Sequence, residues 1–457
     1  MKNSLEIFLI KCKTFEKLAF LHAQSCECLK SELLLFETPP TQTTIENSRW
    51  VTYKPISSLT DDSPIEFVIP PSCEMYTDLA HTMLSVKVTV KQTVADTDLS
   101  ADAKKNISHV GPVNNFMHSL FSQVDVSFNQ KQVSPPNNTY AYRAYIDTLF
   151  NYGYGAKNYH LSTVLWSADS AGNMDDCEEA NEGLVNRRHL LTGKSVDMVG
   201  HLHCDVFNQE KLLLNGVEIK VRLIKASDNF VLMDPTGVFR VNIDEANLLV
   251  RRVKISPTVQ LIHEKTLMKS TAKYPLTRVE VKAITLHSGV TGESLDNIIL
   301  GQLPKRIVVG FVENKAFNGD KKLNPFNFKN WGINFLSLYI DGVQTPSKAL
   351  EPDFARHKYV DAYLTLFTGT GIHFLNDGND ISREDYPNGY CLFAFDLTPD
   401  LSANELSHWN LIRHGSVRLE VRFASPLTTT VNCVVYAEFE NILEIDASRQ
   451  ILIDFTG

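Results

Sequence analysis

The sequence predicts an all-β protein built from two tandem copies of one β-sandwich unit, with short helical insertions. Three observations predict it. Strand-like runs dominate the chain, turn residues punctuate them at short intervals, and one series of elements occurs twice, about 215 residues apart.

Taken in order, alternating or β-branched runs lie at 65–69, 84–90 (LSVKVTV), 124–128, 217–223 (VEIKVRL) and 239–255 in the first half. In the second half they lie at 278–286, 306–312, 335–340, 392–397, 417–423 and 431–439. Side chains of a strand alternate between two faces, so a half-buried strand alternates apolar and polar residues. Turn chemistry separates the runs: Pro135-Pro136, Asn215-Gly216, Pro235 with Gly237, Asp341-Gly342 and Asn388-Gly389. Helical periodicity is confined to 140–152 and 358–367, each about three turns long.

Those two helical segments mark the repeat. Pro112-Val113-Asn114 precedes a strand ending FNQKQ (128–132), then a proline-bearing loop, then AYIDTLFNYGYG (144–155). Pro325-Phe326-Asn327 precedes a strand ending IDGVQ (340–344), then a proline-bearing loop, then AYLTLFTGTG (362–371). Further on, VEIKVRL at 217–223 matches VRLEVRF at 417–423, and Val-Asn pairs stand at 241–242 and 431–432. Four matches in one order point to a duplicated unit of about 200 residues. About eight strands and one helical insertion per unit fit a two-sheet jelly roll, which hides most strand edges by packing sheet on sheet. The expected division is an N-terminal arm at 1–49, a first jelly roll at 50–260, a second at 275–448 and a tail at 449–457. The linker falls near 256–274, where strand alternation is lost.

Composition excludes several classes. Hydrophobic residues make up 43% and charged residues 21%, the balance of a globular chain with sizeable cores. A net charge of −9 argues against electrostatic binding of nucleic acid or anionic lipid by the chain as a whole. Arg187-Arg188 and Arg251-Arg252 are too short for a basic patch and read as solvated charge. Eight cysteines spread over a long chain, some inside apolar runs such as YCLFAF and VNCVVY, read as free thiols in a reducing compartment. No window reaches the roughly 18 apolar residues of a membrane span, and the N-terminal apolar stretch is too short for a secretion signal.

No catalytic, cofactor or metal residues are expected. His201-Leu202-His203-Cys204-Asp205 suggests a bicupin-like metal enzyme, but Glu210 stands too far along for the cupin spacing and the second half has no such dyad. His22, Cys26 and Cys28 lack the second half of a zinc site and read as part of an arm lying on a neighbouring subunit. Gly369-Thr370-Gly371 follows a helix and reads as its cap, whereas a phosphate cradle follows a strand. Asp175, Asp176, Glu178 and Glu179 read as a solvated loop. Tyr140, Tyr142, Tyr145, Tyr152, Tyr154 and Tyr159 read as helix-to-sheet core with a subunit contact.

Long stretches carry a family resemblance: PIEFVIP (64–70), VGPVNNFMHSLFSQVDVSFN (110–129), NNTYAYRAYIDTLFNYG (137–153), LLLNGVEIKVRL (212–223), AKYPLTRVEVKA (272–283) and GQLPKRIVVGFV (301–312). AFNGDKKLNPFNF (316–328), SLYIDG (337–342), ISREDYPNGYCLFAFDLTPDL (381–401), VRLEVRFASPL (417–427) and VYAEFENILEID (435–446) extend it. From about residue 20 onward the chain resembles the double-jelly-roll major capsid proteins of Polinton/Maverick elements and the related adintoviruses. The resemblance implies a structural protein and not an enzyme: a homotrimer forming a pseudo-hexagonal capsomer, with trimers tiling an icosahedral shell beside a minor or penton capsid protein. It implies interfaces above roughly 2,000 Å², a virion location after intracellular assembly, no cofactor, no membrane span and no sequence-specific nucleic-acid binding. A capsid-derived binding module captured by a host is the alternative that keeps the same fold.

Overall fold

Each half of the chain forms two facing antiparallel sheets that share one four-strand order, and in the second half a short fifth strand (Ile451–Ile453) adds to one of them. The computed structural model describes residues 30–36, 38–59, 63–92, 109–191, 195–405 and 407–453. The first half contains β1 (Ile45–Tyr53), β2 (Ile65–Ile69), β3 (Met75–Gln92), β4 (Phe121–Phe128), β5 (Lys131–Gln132), β6 (Val196–His201), β7 (Ile219–Lys225) and β8 (Phe239–Ile255). They make sheets ordered β1-β8-β3-β6 and β2-β7-β4-β5. The second half contains β9 (Ala272–Leu286), β10 (Gly292–Gln302), β11 (Arg306–Glu313), β12 (Ile333–Ile340), β13 (Val343–Leu350), β14 (Leu392–Asp396), β15 (His414–Phe423) and β16 (Val431–Ile445). Their sheets are ordered β9-β16-β11-β14 and β10-β15-β12-β13. Adding eight to every label of the first half gives the second, so the duplication read in sequence is a duplication of topology. Both halves are jelly rolls.

Alternation builds both cores. Phe67, Leu84, Val86, Val126, Val221 and Leu248 fill the first sandwich, and Ile307, Phe311, Leu336, Leu338, Leu419 and Val421 the second, each almost wholly buried. The Asp341-Gly342 turn joins β12 to β13 with positive φ at both residues (49° and 81°), as a two-residue hairpin requires. Among the described residues, the helices longer than two turns are α1 (Tyr140–Asn151), α2 (Glu182–Leu191), α3 (Pro257–Leu267) and α4 (Val360–Thr368). α1 and α4 occupy the same place in their repeats, between the fifth and sixth strands. The linker is itself helical: Ser256 caps α3 and Pro257 opens it, a position where the missing N–H costs nothing.

The alternation rule misses β1, β6, β10 and β13. β1 is exposed at most positions, so no inward face is written into it, and β13 carries Pro346. Residues 44–457, with both jelly rolls, form one compact unit. Residues 1–43 form another, whose described part holds a short 3-10 turn at Ser31–Leu33. No helix among the described residues is long and apolar enough to cross a membrane.

Candidate functional site

The polar chemistry of the fold concentrates where α1 meets the second jelly roll. Its sequence, YAYRAYIDTLFN, puts Tyr142 and Tyr145 on one face and Arg143 and Asp147, with Tyr140, on another, and every side chain from Tyr140 to Leu149 is buried. Such a helix needs cover on all sides. One side lies on its own half and the other on the sheet β9-β16-β11-β14. Thr139 donates to the Val281 carbonyl (3.1 Å) and the Tyr142 hydroxyl to the Pro325 carbonyl (3.0 Å). Tyr145 stacks on Phe326 with ring centroids 4.2 Å apart, and Tyr142 on Phe317 at 5.1 Å. Burying aromatic rings of this size stabilises the seam by about 1.5–3 kcal/mol each.

The charged face completes a network across the same seam. Arg143 pairs with Asp205 (2.6 Å), and its Nε lies 3.7 Å from Asp147. Asp205 also accepts the Val279 N–H of β9 (3.2 Å). Asp147 meets the His203 ring (3.1 Å) and the Tyr436 hydroxyl of β16 (2.5 Å), while Glu438 lies 3.1 Å from that hydroxyl and pairs with Arg306 (3.2 Å). Burial works against the charge of Arg143, yet Asp205 and Asp147 outweigh it and hold its pKa above the ordinary value. Burial would likewise raise Asp147, but the His203 hydrogen bond, Arg143 and Tyr436 hold it below the usual carboxylate range.

The His-x-His motif is absorbed here. His203 faces Asp147, and His201 meets the side-chain Oδ1 of Asn208 at 2.7 Å. The Tyr140 hydroxyl accepts the His203 N–H (3.2 Å), which leaves its own proton for Nδ1 of His118 (3.0 Å). Burial pushes the His118 pKa well down, and His203 and His201 nearby push it further. No group of three or more His, Cys, Asp or Glu able to hold a metal ion occurs among the described residues. His22, Cys26 and Cys28 lie outside those residues.

A second patch of the seam corrects two expectations. Arg187 is not solvated: it is fully buried, paired with Asp169 (2.6 Å), and donates to the carbonyls of Pro112 and Ser167. Arg188 and Arg252 are buried as well, and Arg251 pairs with Asp78 (2.6 Å). A guanidinium has five donors, so one such side chain can tie several carbonyls together. Nor is Asp175 a free loop carboxylate. It accepts from the Asn324 N–H and the Asn327 amide (both 2.9 Å) and pairs with Lys329 (2.9 Å), all from the second half. Glu178 and Glu179 are exposed, as expected. Asp169 itself receives the Asn324 amide (3.0 Å), and its carbonyl the Tyr390 hydroxyl (2.7 Å).

Of the tyrosine cluster, Tyr140, Tyr142 and Tyr145 are core, while Tyr154 and Tyr159 are exposed. Gly369-Thr370-Gly371 closes α4, with the Gly369 N–H on the Thr365 carbonyl at 2.8 Å. A cavity of about 400 Å³ also lies beside α3, lined by Tyr76, Leu214, Ile255, His263, Leu267 and Tyr274. Sequence reasoning misses Asp147, Asp169, Arg306, Tyr436 and Glu438. Asp147 and Tyr436 look like ordinary helix and strand residues until the fold joins them across the halves, Asp169 stands in a loop until Asn324 reaches it, and Arg306 and Glu438 meet only when their strands pair.

No family model matches the chain. An uncharacterized Caenorhabditis elegans protein is 26% identical over 426 residues, covering 91% of this chain and 99% of that protein. Among solved structures, a chain of the Sputnik virophage matches with a TM-score of 0.62 at 11% identity, covering 95% of this chain and 94% of that one. A chain of the PBCV-1 virus capsid matches at 0.58 and 12% identity, covering 92% and 100%. The mavirus major capsid protein matches at 0.52 and 12% identity, covering 95% and 96%. Such likenesses span both jelly rolls and the seam between them, and the chain has the double jelly-roll fold of viral major capsid proteins.

Proposed function

We propose that this chain is a major capsid protein of the Polinton/Maverick type. It works as a homotrimer whose six jelly rolls make a pseudo-hexagonal capsomer, and these capsomers assemble into an icosahedral shell inside the cell, with a minor or penton protein as partner. The observation that carries this reading is the seam. Two jelly rolls of one topology are held in a single compact unit by hydrogen bonds to buried carboxylates and by stacked rings. A rigid pair of near-equivalent units is what a three-fold object needs to fill a six-fold position. The likeness to capsid chains over more than nine-tenths of the length supports the same reading.

The seam has a structural role in this reading, with Arg143, Asp147, Asp169 and Arg187 positioning one jelly roll on the other. The test is the solution mass of the purified chain by light scattering, followed by negative-stain microscopy. A particle of three 51.5 kDa chains with a hexagonal outline is expected. A single-chain particle at micromolar concentration would overturn the proposal.

A further inference from the structure

We infer that α4 of one copy docks on the outer face of the β1-β8-β3-β6 sheet of a second copy, repeating between chains the contact that α1 makes within the chain. The inference rests on the capsomer reading and names the two surfaces that would close the ring.

Within the chain, α1 of the first repeat covers the outer side of the second repeat's β9-β16-β11-β14 sheet, through Val281 and Tyr436. With the sandwich core on its other side, β16 is buried without interruption from Val431 to Phe439, and β11 from Arg306 to Val312. Among the described residues, the equivalent sheet of the first repeat lacks that cover. In β8, Leu248 and Val250 face the core with no exposure, whereas Leu249 and Arg251 remain partly open. In β3, Leu84 and Val86 are buried, and Met83, Ser85 and Lys87 are partly open. β1 is exposed along most of its length, with Trp50 at 52%. Antiparallel partners share a face. Trp50 lies opposite Arg251, Thr52 opposite Leu249, and Leu249 opposite Met83, so these side chains form one outward-facing patch.

α4 shows the complementary deficit. Ala362, Thr365 and Leu366 are buried toward β14, where the Ala394 N–H meets the Thr365 hydroxyl at 3.3 Å. Val360 and Leu364, one turn apart, stay 45% and 48% exposed, and Phe374 and Leu375 follow at 90% and 56%. The first repeat therefore has a covered helix and an open sheet, and the second an open helix and a covered sheet. Rotational closure of more than two copies needs two different surfaces on each chain, because each copy presents one to its neighbour and receives the other. The occupant of the open sheet is accordingly a second copy of this chain. Lys87 and Glu245 border the receiving face and put charge at its rim.

The experiment compares the purified full chain with Leu364→Arg and Trp50→Glu by light scattering on a sizing column. Each substitution is expected to move the peak from the three-chain to the one-chain mass, while the circular dichroism spectrum keeps its strand and helix signal. The chain carrying both substitutions, with opposite charges on the two surfaces, is expected to regain the three-chain peak. Leu364→Gln and Trp50→Gln guard against a folding defect. They should raise the concentration of half-dissociation at least tenfold with no loss of helix or strand signal. Three-chain particles from all the single variants would overturn the inference and leave the capsomer reading standing. A wild-type chain that is itself monomeric would overturn both.

Discussion

Replacing Arg143 with methionine is the sharpest probe of the seam. The guanidinium lies 2.6 Å from Asp205 and 3.7 Å from Asp147, and all three side chains are buried. Met keeps a stem of similar length but leaves two buried carboxylates without their cation. Breaking a buried pair from one side costs about 3–5 kcal/mol near neutral pH. Asp205→Leu alone strands the cation and also removes the acceptor of the Val279 N–H. Together, the two substitutions remove both charges of the closest pair, while Asp147 keeps His203 and Tyr436. What remains is chiefly the orphaned Val279 N–H, about 1–3 kcal/mol. The combined variant should therefore be more stable than Arg143→Met alone. Without the guanidinium, burial holds the Asp205 carboxyl above the ordinary aspartate value of 3.8, so the folded state takes up a proton before the unfolded one. Stability lost at neutral pH should then return as the pH falls toward 4. Urea unfolding followed by fluorescence reads this directly, because buried Trp166 lies 5.4 Å from Tyr145 of α1. Strict additivity of the two substitutions, or a loss below about 1 kcal/mol for Arg143→Met, would refute the reasoning.

Three further outcomes are expected. Phe326→Ala removes a fully buried ring stacked 4.2 Å from Tyr145 and should cost about 3–5 kcal/mol in the same titration. His118 must shed its proton to stay buried; its folded pKa lies well below 6.5, so its contribution is complete above pH 6.5 and is lost as the pH falls below that value. Unfolding midpoints measured from pH 7.5 to 5 should fall steeply in the wild type and less steeply in His118→Gln, and equal slopes would count against it. Among the five described cysteines, Cys73 is exposed, whereas burial pushes the thiols of Cys204 and Cys391 up to about 12. Brief alkylation of the native protein, mapped by mass spectrometry, should label Cys73 ahead of Cys204, Cys391 and Cys433.

The fold was legible in sequence wherever one face of a strand is buried and the other wet. The runs at 65–69 and 239–255 show that alternation and coincide with β2 and β8. β1 and β10 did not show it, because most of their side chains face solvent and carry no inward pattern. α3 carried a legible start, Ser256-Pro257, but its short apolar stretch sits between strands and reads equally as linker. The seam was the least legible part. Asp147 meets Tyr436 from 289 residues away, and Asp169 meets Asn324 from 155, so no local spacing records either pairing. Arg187-Arg188 misled for the same reason: charge beside charge reads as surface until a carboxylate arrives from elsewhere in the fold.

The continuous burial of β16 also has a consequence in time. α1 is complete by Asn151, but Tyr436 and Glu438, which it must cover, emerge roughly three hundred residues later. At about 5–20 residues per second, the ribosome leaves that aromatic helix without its partner for tens of seconds. For roughly the first 170 residues of that interval, Tyr142 and Tyr145 have no Phe317 or Phe326 to stack on. The half-made chain is thus a sticky species whose yield depends on how well the cell shields it, and slowing synthesis should lower the soluble fraction more than weakening the second jelly roll's own core.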